Sequence, residues 1–287
     1  MTKGRVYLRL GRVSNLPTVW TNVLAGTVLA GGRAEPLTLA GLLLAASLFY
    51  EGGMFLNDAF DRATDARERP ERPIPAALVT PREVFAIGYG MLAGGLLVLA
   101  GFCGRKGWAP LAPGGALAAS IVYYDVHHKG SPWSPLVMGL CRMLLYVTAG
   151  VTVAGRLTGP VLGGALALFC YLIGLTYVAK QENLSAYHNQ WPLAFLAAPF
   201  IYGLPVLSRS VLGALVYLGF LVWVGYAISL LVRRGRVNIP RAVVGLIAGI
   251  SLLDALLIAG RGAAGMTALA VLGFGLTLFL QRYVRGT

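Results

Sequence analysis

Residues 38–75 read TLAGLLLAASLFYEGGMFLNDAFDRATDARERPERPIP. The first half, 38–57, is mostly apolar with Glu51 its one charged residue, and has the ~20-residue length needed to cross ~30 Å of hydrocarbon. In lipid the backbone must satisfy its own polar groups, so such a span is a helix. Segments of similar character recur at 15–32, 82–102, 110–126, 135–154, 160–180, 190–207, 211–232, 241–259 and 264–281. The alternating pattern of a membrane β-barrel is absent. The 287 residues are 57% hydrophobic and 12% charged, against about 25% charged residues in soluble domains, and mean hydropathy is +0.71. The fold class expected is all-α, a polytopic transmembrane bundle of nine or ten helices, with 1–287 as a single membrane domain. The longest polar stretch, 57–73, reads as one loop.

A formal charge of +13 raises nucleic acid as a partner, but the cations form no single patch. They fall mostly in alternate loops, as the positive-inside rule expects. With ten spans and the N-terminus inside, seventeen Lys and Arg lie on the inner side and six on the outer, with Arg142 inside a span. Dropping the crossing at 190–207, which Pro192, Pro199 and Pro205 interrupt, weakens the split to thirteen against ten. The basic N-terminal segment carries no obvious cleavage site and reads as a retained cytoplasmic segment. Cys103, Cys141 and Cys170 lie in or beside apolar spans without CxxC spacing, as packing residues do. No phosphate-binding glycine loop occurs, and the many glycines spread through the spans suit close helix packing.

Six of the eleven acids fall between 51 and 71. Asp58, Asp61 and Asp65 are spaced three and four apart, within an arc of about 60° on one helix face. Three carboxylates so placed repel one another unless a cation joins them. Mg²⁺ held by carboxylates and phosphate oxygens is one reading. A solvated helix end whose acids pair with Arg62, Arg67 and Arg69 is the other. The following Arg69-Pro70-Glu71-Arg72-Pro73-Ile74-Pro75 breaks the helix and fixes the chain's exit.

Ionisable groups at membrane depth are costly and normally face a cavity or a partner. Glu51, one heptad before Asp58, is expected to line a pocket above the aspartates or to bond a neighbouring helix. Arg142 is a natural partner for Asp125 or Glu51. Asp254, mid-span, is expected to pair with an Arg, the backbone or a Ser/Thr of a neighbour. His127 and His128 are adjacent and point to different helix faces, which argues against zinc.

Asn57-Asp58-x-x-Asp61-x-x-x-Asp65 followed by Arg72-Pro73-Ile74-Pro75 resembles the first aspartate-rich motif of the UbiA superfamily of intramembrane prenyltransferases. Arg12-Val13-Ser14-Asn15 resembles that family's entry to its first helix. Tyr124-Asp125-Val126-His127-His128-Lys129 resembles its Tyr…Lys element, and Gly139 and Arg142 follow as in several subgroups. The resemblance implies Mg²⁺-dependent transfer of an isoprenyl group from an isoprenyl diphosphate to a lipophilic or aromatic acceptor, in the cytoplasmic membrane with the site facing the cytoplasm. It implies Asp58, Asp61 and Asp65 as metal ligands, with Asn57 assisting at the substrate, and Arg72 and Lys129 on diphosphate oxygens. Arg12, Asn15, Glu51, Tyr124, Asp125, Arg142 and Lys180 follow as substrate-binding candidates. Tyr123 and Tyr124 would face the cavity as π surfaces for a cation, or else form an interfacial belt. The second acidic run of the family is thin here: 176–183 read TYVAKQEN, with Glu182 as its sole acid beside Lys180. Glu182 and Asn183 would complete a sparer site. A transporter with the acidic face as its cation site, or a non-catalytic prenyl-lipid binder, are the rival readings.

Overall fold

A computed structural model of the chain describes residues 2–31, 34–102, 107–181, 191–232 and 238–284, and every regular element among them is helical. A short α1 (Lys3–Leu10) is followed by a 3-10 turn (Val13–Asn15), α2 (Leu16–Leu29), α3 (Pro36–Glu68), α4 (Pro81–Ala100), α5 (Leu111–His127), α6 (Ser134–Ala154) and α7 (Gly159–Lys180). The segment read as the interrupted crossing is a 3-10 stretch (Trp191–Ala197), a six-residue α8 (Ala198–Gly203) and another 3-10 turn (Leu204–Val206). The long helices α9 (Val211–Val232), α10 (Ile239–Ala259) and α11 (Ala264–Leu280) complete the bundle. Ten apolar segments thus appear in the expected order. Six of the described helices are long and apolar enough to cross a membrane.

Helix starts are set by familiar chemistry. Pro36, Pro81, Pro135, Pro160 and Pro240 stand in first turns, where the missing N–H costs nothing. Thr80 accepts from the Glu83 backbone N–H at 3.2 Å and Asn238 from that of Arg241 at 3.0 Å, each satisfying a donor the helix cannot. One boundary differs from expectation: the polar stretch 57–73 is not all loop. Helix α3 runs on to Glu68, so the aspartates keep helical geometry, and the chain leaves the helix only at Arg69 before Pro70.

Helix α10 is buried along nearly its whole length, with α2, α7, α9 and α11 packed around it. Small residues let the other helices close in. A Cβ on Gly26 of α2 would lie 2.8 Å from the Tyr146 carbonyl oxygen and 3.0 Å from the Ala149 Cβ on α6. Gly26→Val is therefore expected to push α2 and α6 apart and to cost about 2 kcal/mol, as overpacking does. Thermal unfolding in detergent, read beside an exposed control such as Gly90→Val, measures it.

Candidate active site

One face of α3 builds a wall. Tyr50, Met54, Asn57, Asp61, Asp65 and Glu68 recur every three or four residues and line a cavity of about 380 Å³. Opposite stand Tyr124, His128 and Lys129 at the end of α5, Met138 and Arg142 of α6, Thr176 and Lys180 of α7, and Val243 and Ile250 of α10. Arg12, Asn15, Arg69 and Arg72 also line it. The cavity adjoins a smaller apolar pocket of about 90 Å³, and Tyr50, Met54, Tyr124, Met138 and Arg142 line both.

The three aspartates are buried, and each already has cationic neighbours. Asp58 meets Arg12 at 3.1 Å and Arg72 at 3.3 Å; Asp65 meets the same Arg72 at 2.9 Å. Asp61 meets Lys129 at 3.0 Å and the His128 Nε2 at 3.4 Å. The pairing with Arg62, Arg67 and Arg69 expected from the sequence is not what the described residues show, although Arg69 does line the cavity. Arg62 donates to the Ala59 carbonyl and stacks over Phe85, and Arg67 donates to the Ala63 carbonyl. Both point away from the cavity face, while cations distant in sequence reach in.

Arg12 reaches in because of its backbone. Its φ of +44° is the left-handed conformation that a non-glycine residue adopts at a cost of about 1–3 kcal/mol. The elbow it makes between α1 and the 3-10 turn throws its guanidinium across α3, within 3.3 Å of the Asn57 Oδ1 as well as of Asp58. Gln281, just past α11, donates to the Asn15 Oδ1 at 3.1 Å and ties the C-terminal helix to the same elbow. Lys180 donates to the Ser131 carbonyl at 2.6 Å and the Ser134 hydroxyl at 3.1 Å.

Several expected placements are revised. Glu51 does not line either cavity; its Cγ sits against Gly11, because the side of α3 that carries Glu51 and Asp58 turns toward the elbow. Arg142 pairs with neither Asp125 nor Glu51. It donates to the Asn22 Oδ1 at 2.7 Å and the Thr18 hydroxyl at 3.2 Å, over the Tyr50 ring. Asn22 in turn donates to both oxygens of Asp254, at 2.9 and 3.1 Å, and Tyr146 donates its hydroxyl to the same carboxylate. Tyr123 is exposed and stacks on His127, so of the two tyrosines only Tyr124 faces the cavity. His128 was missed by the sequence reading; its signal was its place between Tyr124 and Lys129, one helical turn after a cavity residue. Glu182 and Asn183 lie outside the described residues, as does Cys103.

Among the described residues no three His, Cys, Asp or Glu side chains converge on one point. Asp61 and Asp65 both face the cavity nonetheless. Their hard oxygens fit Mg²⁺, which is commonly held by one or two carboxylates plus phosphate oxygens rather than by a closed protein cage.

An aspartate row beside buried cations, at one end of a membrane-length helical bundle, is what the comparisons with known proteins meet. The model of the UbiA prenyltransferase family matches residues 18–243. The chain belongs to that family. It is accordingly an integral membrane protein with the UbiA helical fold. The digeranylgeranylglyceryl phosphate synthase of Natronomonas pharaonis is 28% identical over 184 residues, covering 64% of this chain and 62% of that protein. That of Methanopyrus kandleri is 38% identical over 97 residues, covering 30% and 34%. The chain thus spans less than two thirds of the length of these relatives. A solved structure concerned with digeranylgeranylglyceryl phosphate synthase in membranes matches with a TM-score of 0.62 at 18% identity, over 91% of this chain and 99% of that one. A UbiA homologue from Archaeoglobus fulgidus bound to GPP and Mg²⁺ matches with a TM-score of 0.53 at 14% identity, over 94% and 99%. At such identities these two structures speak for the shared UbiA fold.

Proposed function

We propose that this protein transfers an isoprenyl group from an isoprenyl diphosphate to a lipid-soluble acceptor within the membrane. The observation that carries this reading is a single cavity that joins aspartates and cations to the apolar side chains of Leu172, Leu175, Val243, Ile247 and Ile250, within the reach of one substrate. Arg72 and Lys129 bind the diphosphate, the first as a planar fork and the second as a point charge. Asp61 and Asp65, with Asp58 behind them, would hold Mg²⁺, which would supply charge neutralisation to a departing diphosphate. Tyr124 offers its ring face to the allylic cation, and the apolar lining beyond it excludes water from that cation. The name shared by the relatives makes an alcohol of the glyceryl phosphate class the first acceptor to try. The residues form one membrane domain with the cavity on the cytoplasmic side, a placement supported by the basic residues gathered at that end.

Diphosphate release by the purified protein from isoprenyl diphosphates of several lengths, with and without Mg²⁺, tests the reading. Release is expected only with Mg²⁺ and is expected to fall at least ~100-fold in Asp61→Ala, the scale of one electrostatic group lost from a transition state. No release from a folded protein under any of these conditions would overturn it, and metal-independent retention of the lipid would point to a binder instead.

A further inference from the structure

We infer that Asp125 is the proton acceptor for a hydroxyl-bearing acceptor seated in the apolar pocket. The inference rests on the prenyl-transfer reading and extends it to the second substrate.

Asp125 lies in the last turn of α5, is 4% exposed, and lines the apolar pocket. Its Oδ1 accepts from the Asn57 side-chain amide at 3.3 Å. Its Oδ2 is buried and has no hydrogen-bond partner among the described residues. Asp58, Asp61 and Asp65 differ in this respect, since each has a cation within 3.1 Å. A buried acceptor atom without a donor is uncommon in folded proteins and asks for an explanation. The pocket supplies one: that oxygen accepts when the carboxyl is ionised and can donate when it holds a proton, and a hydroxyl on the ligand serves it in either state. Apart from Arg142, whose guanidinium is held by Asn22 and Thr18, the pocket presents mostly carbon to that ligand. A hydroxyl on a lipid chain meets both demands.

Position favours chemistry over simple holding. Asn57 accepts from Arg12 with its oxygen and donates to Asp125 with its nitrogen. Its amide is thereby fixed in one orientation at the seam between the aspartate row and the pocket. A hydroxyl on Asp125 would lie across Asn57 from Arg12, toward the end of the cavity that the proposed function gives to the diphosphate. As the allylic C–O bond breaks, its electron pair departs with the diphosphate. The acceptor oxygen forms the new C–O bond, and its proton passes to the Asp125 Oδ2, which returns it to the leaving diphosphate or to water.

Asp125→Asn tests this, because an amide oxygen can still accept from Asn57 and the shape is kept. With geranylgeranyl diphosphate and Mg²⁺, transfer is expected to fall much further than diphosphate release to water, and the ratio of the two is what is read. The kcat for transfer to geranylgeranylglyceryl phosphate is expected to fall ~10²–10⁴-fold, the usual share of a general base. Unchanged transfer, or transfer and release falling by one factor, overturns the inference. A second measurement needs no turnover: binding of geranylgeraniol against its methyl ether. Wild type is expected to prefer the alcohol about tenfold, as one satisfied buried hydrogen bond allows, and Asp125→Asn to show no preference. Absence of the preference in wild type, or its survival in the variant, overturns the inference whatever transfer shows. An intact preference in a protein that releases no diphosphate would sink the transferase reading alone.

Discussion

Arg72→Met is expected to abolish most diphosphate release and to make the fold depend on a divalent cation. Arg72 holds Asp58 and Asp65 through one nitrogen, and its side chain is only 14% exposed. Asp58 keeps Arg12 in the variant, but Asp65 is left without a cation partner among the described residues. Breaking a buried pair from one side costs about 3–5 kcal/mol, and the remaining partner of Asp58 places this case near the lower end. Thermal unfolding should therefore fall clearly without Mg²⁺. Added Mg²⁺ should raise the midpoint more in the variant than in wild type, because a ligand stabilises by its affinity for the folded state and the freed carboxylates bind it better. Release should fall at least ~100-fold, since the proposed function assigns this cation to the diphosphate. A variant as stable as wild type, with the same response to Mg²⁺, would show that Arg72 does not neutralise this face.

Asp254→Ala is the second large effect, and it lies far from the aspartate row in sequence. Asp254 is fully buried and receives donors from Asn22 and Tyr146. Neutral hydrogen bonds inside membranes average only ~0.6 kcal/mol, so the bonds by themselves would make the loss small. The charge decides otherwise. Arg142 has no acidic partner in direct contact among the described residues, and Asn22 links it to the Asp254 carboxylate. Removing that carboxylate leaves the guanidinium uncompensated, which should cost about 3–5 kcal/mol. Asp254→Asn removes the same charge and should cost nearly as much, and the exchange Asn22→Asp with Asp254→Asn should recover stability by moving the carboxylate directly onto Arg142. Unfolding midpoints for the three variants measure this. A double variant no better than Asp254→Asn alone would show that the network does not act through charge.

The helices were legible because lipid leaves the chain no alternative, and length with apolarity marks each crossing. The aspartate row was legible because helical spacing is local. Its partners were not. Which cation meets which carboxylate depends on how α1, α3 and α5 meet, and nothing near Asp58 announces that Arg12, 46 residues earlier, will turn left-handed and reach it. Glu51 shows the same limit from the other side. One heptad from Asp58 does place it on that side of α3, but only packing reveals that this side faces the elbow. The Asn22 relay escaped for a related reason: an acid and a base at membrane depth suggest a direct pair, and an amide set between them carries no signature in the sequence.

The pairings around Asp58, Asp61 and Asp65 also govern what may enter. Arg72 and Lys129 meet a phosphate only by sharing their N–H donors with the carboxylates they already hold or by giving those carboxylates up, and His128 stays beside Asp61 if Lys129 leaves. On the proposed function, entry of a diphosphate with its metal is therefore a competition for charges that already have partners. An anion alone finds its cations engaged, and a divalent cation alone finds its carboxylates engaged. A ligand that brings both signs of charge together would offer new partners to both sides at once, so these pairings should favour it over either half arriving by itself.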